Sequence, residues 1–355
     1  MEQYQLTTDW LRVRAADTPD ALALLVDGRW WRFDELDALT DRLCDRLRAD
    51  GARPGDHVAV LLPNSLPMVV TVFALARLGA VMVPLNTRLT AAEVAWQVAR
   101  ADCARLIHAP QAATQTANVP TDLPRLILPT EAAAFSNGRW SVTTNQQRTT
   151  HDSTATQHPP LATPQAIIFT SGTTGYAKAA VITFANHFWS AAGSASRLGV
   201  VPGDRWLACL PLYHVGGLAV LFRSCLYGTA VVLHESFDAA AVARSLRDDG
   251  ITLVSLVPTM LNRLLHDDFT AADAPDLRVI LLGGAPAPSA LGARARAPRP
   301  PPPGTCGLTE AASQVATLLP DEVAQKPGSA GKPLPSTVVA VVDDDSRELP
   351  PGAPG

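Results

Sequence analysis

Short apolar runs alternate with helical patterns through the first third of the chain, and this alternation restricts the possible fold more than any other feature. The apolar run His57–Leu62 lies between turn residues, which indicates a buried strand. Ser65 can cap a helix that Gly79 ends, and Ala80–Val83 predicts the next strand. Such alternation predicts a parallel, doubly wound α/β sheet. The other elements predicted here are a helix with Leu36, Leu39, Leu43 and Leu47 on one face that Gly51 ends, a helix from Thr90 through Arg100, and a strand at Arg105–His108.

A polar stretch, residues 110–164, separates this region from a second one with the same alternation. We interpret it as a mobile connection with one short strand near Arg125–Leu128. The sequence therefore divides into a first α/β part (1–109), the connection (110–164), a second α/β part (165–335) and a final segment (336–355). The elements predicted after Ala166 are helices at 181–198, 218–226 and 239–248, and strands at 205–210, 230–233, 251–257 and 277–282.

Composition excludes several classes of protein. The chain has 355 residues, of which 47% are apolar and 17% charged, so it can form a large core and more than one subdomain. The formal net charge of −4 gives no general attraction to nucleic acid or to anionic membranes. We expect neither a signal peptide nor a membrane span, because the N-terminus lacks an apolar segment and no run of about 18 apolar residues occurs. The five cysteines are widely spaced and favour a reducing cytoplasm over a disulfide framework or a zinc site.

Residues Thr170–Lys178 combine hydroxyl side chains, glycines and one lysine directly after the apolar run Ala166–Phe169. Glycines let the backbone turn its N–H groups toward an anion, hydroxyls donate further hydrogen bonds, and Lys178 neutralises negative charge. These residues predict a loop that binds phosphate, although taken alone they fit a polar turn equally well. The loop has neither the G-x-G-x-x-G of a dinucleotide site nor the G-K-[ST] of the usual NTPase loop.

The string F-T-S-G-T-T-G-x-x-K at 169–178 resembles the phosphate loop of the adenylate-forming superfamily, which includes acyl-CoA synthetases, adenylation domains and luciferases. Ala177 stands where that family usually has proline. Segments 53–59 and 79–86 also resemble the family, and they bear on the fold alone. The resemblance implies the family's large N-terminal domain, with two doubly wound sheet subdomains and the start of a small β subdomain. It implies nucleotide contacts from Thr170, Ser171, Gly172, Thr173, Thr174, Gly175 and Lys178.

Two further segments correspond to the family's site. In Leu210–Gly217, His214 taken alone is most simply a hydrogen-bonded core residue, whereas the resemblance implies that His214 lines and gates an acyl pocket. The segment Gly283-Gly284-Ala285 could be only a tight turn that ends a strand. In the family this turn lies against the adenine and the acyl group, where side chains would obstruct.

The segment Gly307–Ser313 is the last one that corresponds to the family's site. Thr309 could cap a helix with Glu310 in its first turn, which needs no function. The resemblance implies that Thr309 contacts a nucleotide phosphate and that Glu310 binds Mg²⁺, an ion that prefers carboxylate, phosphate and water oxygens. The implied catalytic residues are His214, Lys178, Thr309 and Glu310, and the implied nucleotide contacts include Gly283, Gly284, Ala285, Cys306, Gly307 and Thr309.

Together these segments imply one reaction. A carboxylate attacks the α-phosphate of ATP and expels pyrophosphate, and the acyl-adenylate then gives its acyl group to coenzyme A. Hydroxyls, a lysine and Mg²⁺ suit the charge on the transferring phosphorus. The expected partners are small molecules and no nucleic acid, and relatives often self-associate, so a homo-oligomer is possible.

Segments 210–228, 281–288 and 307–315 resemble one branch of the superfamily, the o-succinylbenzoate–CoA ligases of menaquinone biosynthesis. Because that substrate is a dicarboxylate, a cation is expected near the pocket. We predict Arg223, for which a surface or ion-paired arginine is an equal alternative. Another acyl- or aryl-CoA ligase and a non-catalytic nucleotide-binding remnant stay open. The substrate contacts predicted here are His214, Arg223, Gly283 and Ser313, with Gln314 as a further candidate.

The sequence departs from the family in two places. Five prolines occur within residues 298–303, where the family has an apolar strand, and proline lacks the N–H that a strand interior needs. A compensated frameshift is one hypothesis for this segment. Cys306 stands where the family has an aromatic residue that stacks on adenine. The chain also stops at Gly355, before the ribose-binding aspartate and the C-terminal domain with its lysine, so we expect a truncated protein.

Overall fold

A computed structural model describes residues 8–138, 141–143, 160–170, 177–266, 269–285, 305–319, 322, 325–326, 329–335 and 337–354. The strands are β1 (Leu22–Val26), β2 (Arg29–Arg32), β3 (His57–Leu61), β4 (Val81–Pro84), β5 (Arg105–His108), β6 (Arg125–Ile127), β7 (Ser141–Thr143), β8 (Pro164–Thr170), β9 (Lys178–Thr183), β10 (Arg205–Ala208), β11 (Ala230–Leu233), β12 (Leu253–Leu256), β13 (Val279–Leu282), β14 (Thr305–Leu308), β15 (Ser313–Thr317) and β16 (Lys332–Pro333). The helices are α1 (Trp10–Asp17), α2 (Phe33–Ala49), α3 (Leu66–Leu78), α4 (Ala91–Arg100), α5 (Ala132–Ser136), α6 (Phe184–Leu198), α7 (Val215–Tyr227), α8 (Ala239–Asp248) and α9 (Pro258–Leu264).

The described strands form three sheets. A six-stranded sheet has the order β13-β12-β10-β11-β1-β2, a seven-stranded sheet has the order β7-β6-β5-β3-β4-β8-β9, and β14, β15 and β16 form a small antiparallel sheet. The inner strands of both large sheets pair in parallel, which confirms the predicted α/β class. Both sheets are mixed, because β2, β7 and β9 each add an antiparallel pair at an edge.

Helix α3 illustrates how local sequence positions the elements. Ser65 Oγ accepts a hydrogen bond from Met68 N at 3.4 Å, and Gly79 ends the helix with a left-handed φ of 77°. All thirteen residues of the helix are buried, so α3 is covered on every side. Helix α4 begins with a reciprocal pair of hydrogen bonds between Thr90 and Glu93. Both helix starts confirm the sequence predictions.

The segment after the predicted phosphate loop differs from expectation. The sequence predicted a helix from Val181, but Lys178–Thr183 is β9, and α6 begins only at Phe184, where Thr183 Oγ1 caps Asn186 N. The run Ala179–Ile182 is apolar enough for either structure, and pairing along the whole of β8 decides for a strand. The predicted helix start was therefore wrong by three residues.

Each large sheet contains strands from both predicted α/β parts of the chain. Strands β1 and β2 come from the first part but complete the sheet of the second, since Leu24 pairs with Val231 of β11. Strands β8 and β9 come from the second part but extend the sheet of the first, where Met82 pairs with Ala166. Residues 110–164, predicted as a connection, supply β6 and β7 to the seven-stranded sheet as well as α5. The two large sheets therefore exchange segments. Of the described helices, none is long and apolar enough to cross a bilayer.

Candidate active site

A cavity of about 800 Å³ lies where the carboxyl ends of several strands meet. Its wall includes three residues that the sequence predicted for a site, namely Thr170 at the end of β8, His214 after β10 and Thr309 after β14. One residue therefore comes from each of the three sheets. The carboxyl ends of parallel strands are the usual place for ligands in α/β sheets, because the loops there converge on one crevice.

The base of the predicted phosphate loop is held by strand pairing. Thr170 pairs with Lys178 across β8 and β9, and Thr170 Oγ1 donates to the Lys178 carbonyl at 3.4 Å. The Lys178 side chain is exposed, and Ala177 beside it lines the cavity. Ser171, Gly172, Thr173, Thr174 and Gly175 lie outside the described residues.

His214 lies at the start of α7 and faces the cavity. Its carbonyl accepts hydrogen bonds from the amides of Gly217 and Leu218, so it occupies the N-cap position, and its own amide donates to Pro211 O at 3.1 Å. The imidazole is exposed to the cavity, yet the surrounding protein displaces enough water to lower the pKa of His214 below its ordinary value. The ring is therefore neutral at pH 7.

Thr309 and Glu310 lie in one short 3₁₀ turn, Thr309–Ala311. Leu308 takes the cap position, so the alternative in which Thr309 caps a helix does not hold. The Glu310 carboxylate is exposed and has no ion pair with the described residues. The next residues, Ala312 and Ser313, both have positive φ, at 52° and 108°, which turns the chain back into β15. Ser313 is half-buried and is not part of the cavity wall among the described residues.

The Gly283-Gly284-Ala285 turn packs against the strand that carries Cys306. A Cβ on Gly283 would lie 2.8 Å from Thr305 Cγ2, and Gly284 has a φ of 82°, so both positions favour glycine. Cys306 is exposed on β14, opposite Ala316. The structure thus brings the predicted adenine contacts next to one another, beside the described wall of the cavity rather than in it.

Gly307 is required by a very close backbone approach. A Cβ at this position would lie 2.0 Å from the carbonyl oxygen of Ser313, at the irregular point of the β14–β15 pairing. The backbones on the two sides of the turn that carries Thr309 and Glu310 therefore approach each other closely at Gly307, and the path of the turn depends on this glycine.

Arg223 lies in the protein interior and not in the described wall of the cavity. Its side chain is 1% exposed, Nη2 donates to Ser190 Oγ at 3.3 Å, and the guanidinium carbon lies 5.4 Å from the centre of the Trp206 ring. No carboxylate of the described residues pairs with it, and its Nε has no hydrogen-bond partner there. Burial lowers the pKa of Arg223. Gln314 is also buried, and it donates to Thr317 Oγ1 at 2.9 Å.

Much of the cavity wall was not predicted from the sequence. Three aromatic side chains contribute to it, Trp96 from α4, Phe169 from β8 and Tyr213 beside His214. The rings of Trp96 and Phe169 are 5.8 Å apart. The signal for Tyr213 was its position next to His214, whereas nothing in the local pattern of α4 marks Trp96 as different from a surface residue.

Mixed α/β sheets whose strand ends meet at one cavity are an architecture typical of enzymes that bind small molecules. The chain belongs to the AMP-binding enzyme family, whose model matches residues 11–355. The 2-succinylbenzoate–CoA ligase of Bacillus licheniformis is 37% identical over 348 residues, which cover 98% of this chain and 69% of the relative.

Solved structures agree with this relationship. The o-succinylbenzoate CoA synthetase (MenE) of Bacillus subtilis, in complex with the acyl-adenylate intermediate OSB-AMP, is similar with a TM-score of 0.83 and 33% identity over 98% of this chain and 68% of that chain. The same enzyme in complex with ATP and magnesium ion is similar with a TM-score of 0.84 and 33% identity over 97% of this chain and 69% of that chain.

Proposed function

We propose that this protein is an acid–CoA ligase that activates o-succinylbenzoate. A carboxylate oxygen of the acid attacks the α-phosphorus of ATP, and the bond from that phosphorus to the oxygen of the pyrophosphate breaks. The sulfur of coenzyme A then attacks the acyl carbon, its proton leaves, and AMP departs. The observation that carries the proposal is the convergence of Thr170, His214 and Thr309 on one cavity, in a chain whose relatives carry out this chemistry.

The nucleotide's phosphates would lie against the β8–β9 turn. The Thr170 hydroxyl lines the cavity and would exchange its long 3.4 Å bond to the Lys178 carbonyl for a bond to a phosphate oxygen. The exposed Lys178 ammonium, on the residue paired with Thr170 across β8 and β9, would supply a positive charge. A charge that develops on the transferring phosphorus is stabilised most by donors that are already in place. We assign this role to Lys178 and Thr170 in the described part of the chain.

Glu310 fits a magnesium site. Its carboxylate is exposed and unpaired within the described residues, and oxygen is the ligand that Mg²⁺ prefers. One carboxylate is sufficient when phosphate and water supply the remaining oxygens. The ion, when bound, would neutralise phosphate charge, and Glu310 would hold it beside Thr309.

His214 acts as a neutral wall of the acyl pocket. Its lowered pKa keeps the ring uncharged at neutral pH, so the ring can contact an apolar acyl chain without the cost of burying a cation. The tilted Tyr213 ring, 4.6 Å away, extends the same surface. The ring of an aromatic acid could pack against these two rings.

Arg223 is the candidate cation for the second carboxylate of the substrate. A buried guanidinium without an anionic partner is costly, and an incoming carboxylate would reduce that cost. Because neither Arg223 nor its neighbours Ser190 and Trp206 belong to the described cavity wall, the contact requires a rearrangement around α6 and α7. An Arg223→Lys variant should weaken o-succinylbenzoate binding about tenfold and Arg223→Leu more, while the KM for ATP stays unchanged. Unchanged affinity for the acid in both variants would exclude this role.

Pyrophosphate exchange on the chain as given tests the proposed function. Exchange that depends on o-succinylbenzoate supports it, exchange only with other acids assigns a different acyl- or aryl-CoA ligase, and no exchange with any acid overturns it in favour of a non-catalytic nucleotide-binding protein.

Lys178→Met should reduce the rate of pyrophosphate exchange by about 10² or more, since one charge at a transferring phosphoryl group contributes several kcal/mol. Lys332→Met is the matched control, because Lys332 is an exposed lysine on β16 whose partner is Glu322.

Location and assembly stay predictions. The cysteine usage favours the cytoplasm, and self-association can be measured by sedimentation of the purified chain.

A further inference from the structure

Asn64 joins the two large sheets through the segment that leads into the wall of the candidate active site. It lies in the turn between β3 and α3, and it is 7% exposed. Its Nδ2 donates to Leu210 O at 3.0 Å and to His234 O at 3.1 Å, and its Oδ1 accepts from Leu212 N at 2.8 Å. Leu210 follows β10 and His234 follows β11, so one side chain from the seven-stranded sheet holds two strand ends of the six-stranded sheet.

An asparagine amide matches these partners completely. It has two N–H groups for the two carbonyls and one oxygen for the Leu212 amide, and all three are used. The reverse orientation of the amide would place its oxygen against both carbonyls, so the contacts define its orientation. Aspartate has no donor, and serine has only one. Asn64 is therefore specific for this position.

The turn that carries Asn64 is itself fixed. Ser65 Oγ donates to Pro63 O at 3.0 Å and also caps α3, whose residues are all buried. The side chain of Asn64 thus projects from a rigid base toward the Leu210–His214 segment. Rigid supports of this kind determine how accurately a neighbouring site is placed.

The segment that Asn64 holds leads directly into the cavity wall. Leu212 is fully buried, and Tyr213 and His214 follow it at the cavity. We propose that Asn64 is a positioning residue that fixes the Tyr213–His214 segment against the start of α7. The part of the proposal that concerns acid activation rests on the proposed function, and the structural part does not.

Amide hydrogen exchange of the unliganded chain tests the structural part. In Asn64→Ala and Asn64→Ser, the Leu212 amide should lose protection by about tenfold or more, because alanine removes its buried acceptor and the serine side chain is too short to replace it. Two variants are used, so that if one does not fold the other still tests the proposal. Thr252→Val is the control, because Thr252 Oγ1 bonds to Arg205 N and Asp204 at the opposite end of β10, and it should change Leu212 protection less than twofold. Unchanged protection at Leu212 in a folded Asn64 variant would overturn the proposal.

Kinetics separate positioning from a general loss of stability. The Asn64 variants should raise the KM for the acid about tenfold and leave the KM for ATP within about twofold, because Asn64 contacts the segment before Tyr213 and His214 and makes no contact with Thr170 or Lys178. Equal changes in both constants would argue against a positioning role. If the wild-type chain activates no acid, the proposed function fails. Amide hydrogen exchange at Leu212 still decides the role of Asn64.

Discussion

His187 Nε2 lies 3.0 Å from Gln165 Oε1, in a buried space between α6 and β8. An amide oxygen only accepts, so Nε2 carries a proton. Burial, together with the nearby charge of Arg223, lowers the pKa of His187 to about 3. This histidine is therefore neutral in the folded protein well below the pH at which an unfolded chain would protonate it.

We predict that His187 makes the protein sensitive to mild acid. Between the ordinary pKa of 6.5 and about 3, the unfolded chain binds a proton that the folded chain does not. The free energy of unfolding should then fall by about 1.4 kcal/mol for each pH unit below 6.5. Urea unfolding at pH 7, 6 and 5 gives the free energy of unfolding at each pH. This free energy should fall less steeply with pH in His187→Gln than in the wild type, while the control His266→Gln, at an exposed histidine, keeps the wild-type dependence on pH. Equal slopes in all three proteins would contradict the prediction.

Gly217 is predicted to be intolerant of any side chain. A Cβ there would lie 2.4 Å from Pro211 O, a backbone atom that cannot move without shifting the Tyr213–His214 segment. Gly217→Ala should lower the free energy of unfolding by about 1–3 kcal/mol, as overpacking does. It should also impair acid activation. The measurements are urea unfolding and pyrophosphate exchange.

The neighbouring glycine is the matched control. A Cβ on Gly216 would meet only Leu210 Cδ1, at an ordinary 3.7 Å. Gly216→Ala should therefore change stability by less than about 1 kcal/mol, and alanine even favours the helix. A Gly216 variant as destabilised as the Gly217 variant would show that the whole turn, and not one contact, excludes side chains.

Arg77 is predicted to be a major support of the packing between α1, α2 and α3. It is 4% exposed, its Nε and Nη2 donate to Asp9 at 2.7 and 3.1 Å, and its Nη1 donates to Asp41 at 2.7 Å. Burial alone would lower the pKa of Arg77, but the carboxylates of Asp9 and Asp37 raise it overall. Arg77→Met should cost about 3–5 kcal/mol, because the buried carboxylates lose their cation. The control Arg48→Met removes an exposed pair with Asp45 and should cost less than about 1 kcal/mol. Thermal and urea unfolding would measure both, and equal losses would be evidence against the buried network.

The sequence predicted correctly those helix ends that depend on residues next to them in the chain. The cap at Ser65, the glycine at 79 and the helix start at Thr90 each depend on a few neighbouring residues, and all three occur as predicted. Strand β9 was missed because an apolar run of four residues fits a helix or a strand, and only its distant partner β8 decides. The exchange of β1 and β8 between the sheets depends on long-range pairing in the same way.

The candidate site was predictable in part for the same reason. The resemblance to the family predicted Thr170, His214 and Thr309 together, and each lies at or after the end of a strand, where the loops of α/β sheets converge. Trp96 lies on a helix whose orientation depends on packing against the sheet. Arg223 was correctly placed on a helix, but its direction into the interior depends on how α6 and α7 pack. Asn64 gave no signal, because its partners Leu210 and Leu212 follow a strand of the other large sheet and are distant in the sequence.

Asp204 is predicted to support the six-stranded sheet in a pH-dependent way. It is 4% exposed, and its oxygens accept hydrogen bonds from Val201 N at 2.9 Å, Thr252 Oγ1 at 2.8 Å and Arg278 Nε at 2.9 Å. Burial would raise the pKa of Asp204, but these donors and the charge of Arg278 outweigh it, so the pKa lies below its ordinary 3.8. The stabilisation is therefore present above pH 3.8 and is lost as the pH falls through the folded pKa.

Asp204→Asn should lower the free energy of unfolding at pH 7 by about 3 kcal/mol, because Arg278 loses its buried carboxylate. The variant should also lose less stability than the wild type between pH 4 and pH 3, since the titrating group is gone. Asp276→Asn, at an exposed aspartate in the same region, should change neither quantity. Guanidinium-induced unfolding followed at pH 7, 4 and 3 gives both results. A variant that is weaker at pH 7 but retains the full acid dependence would assign that dependence to other carboxylates, since Asp204 is the group removed.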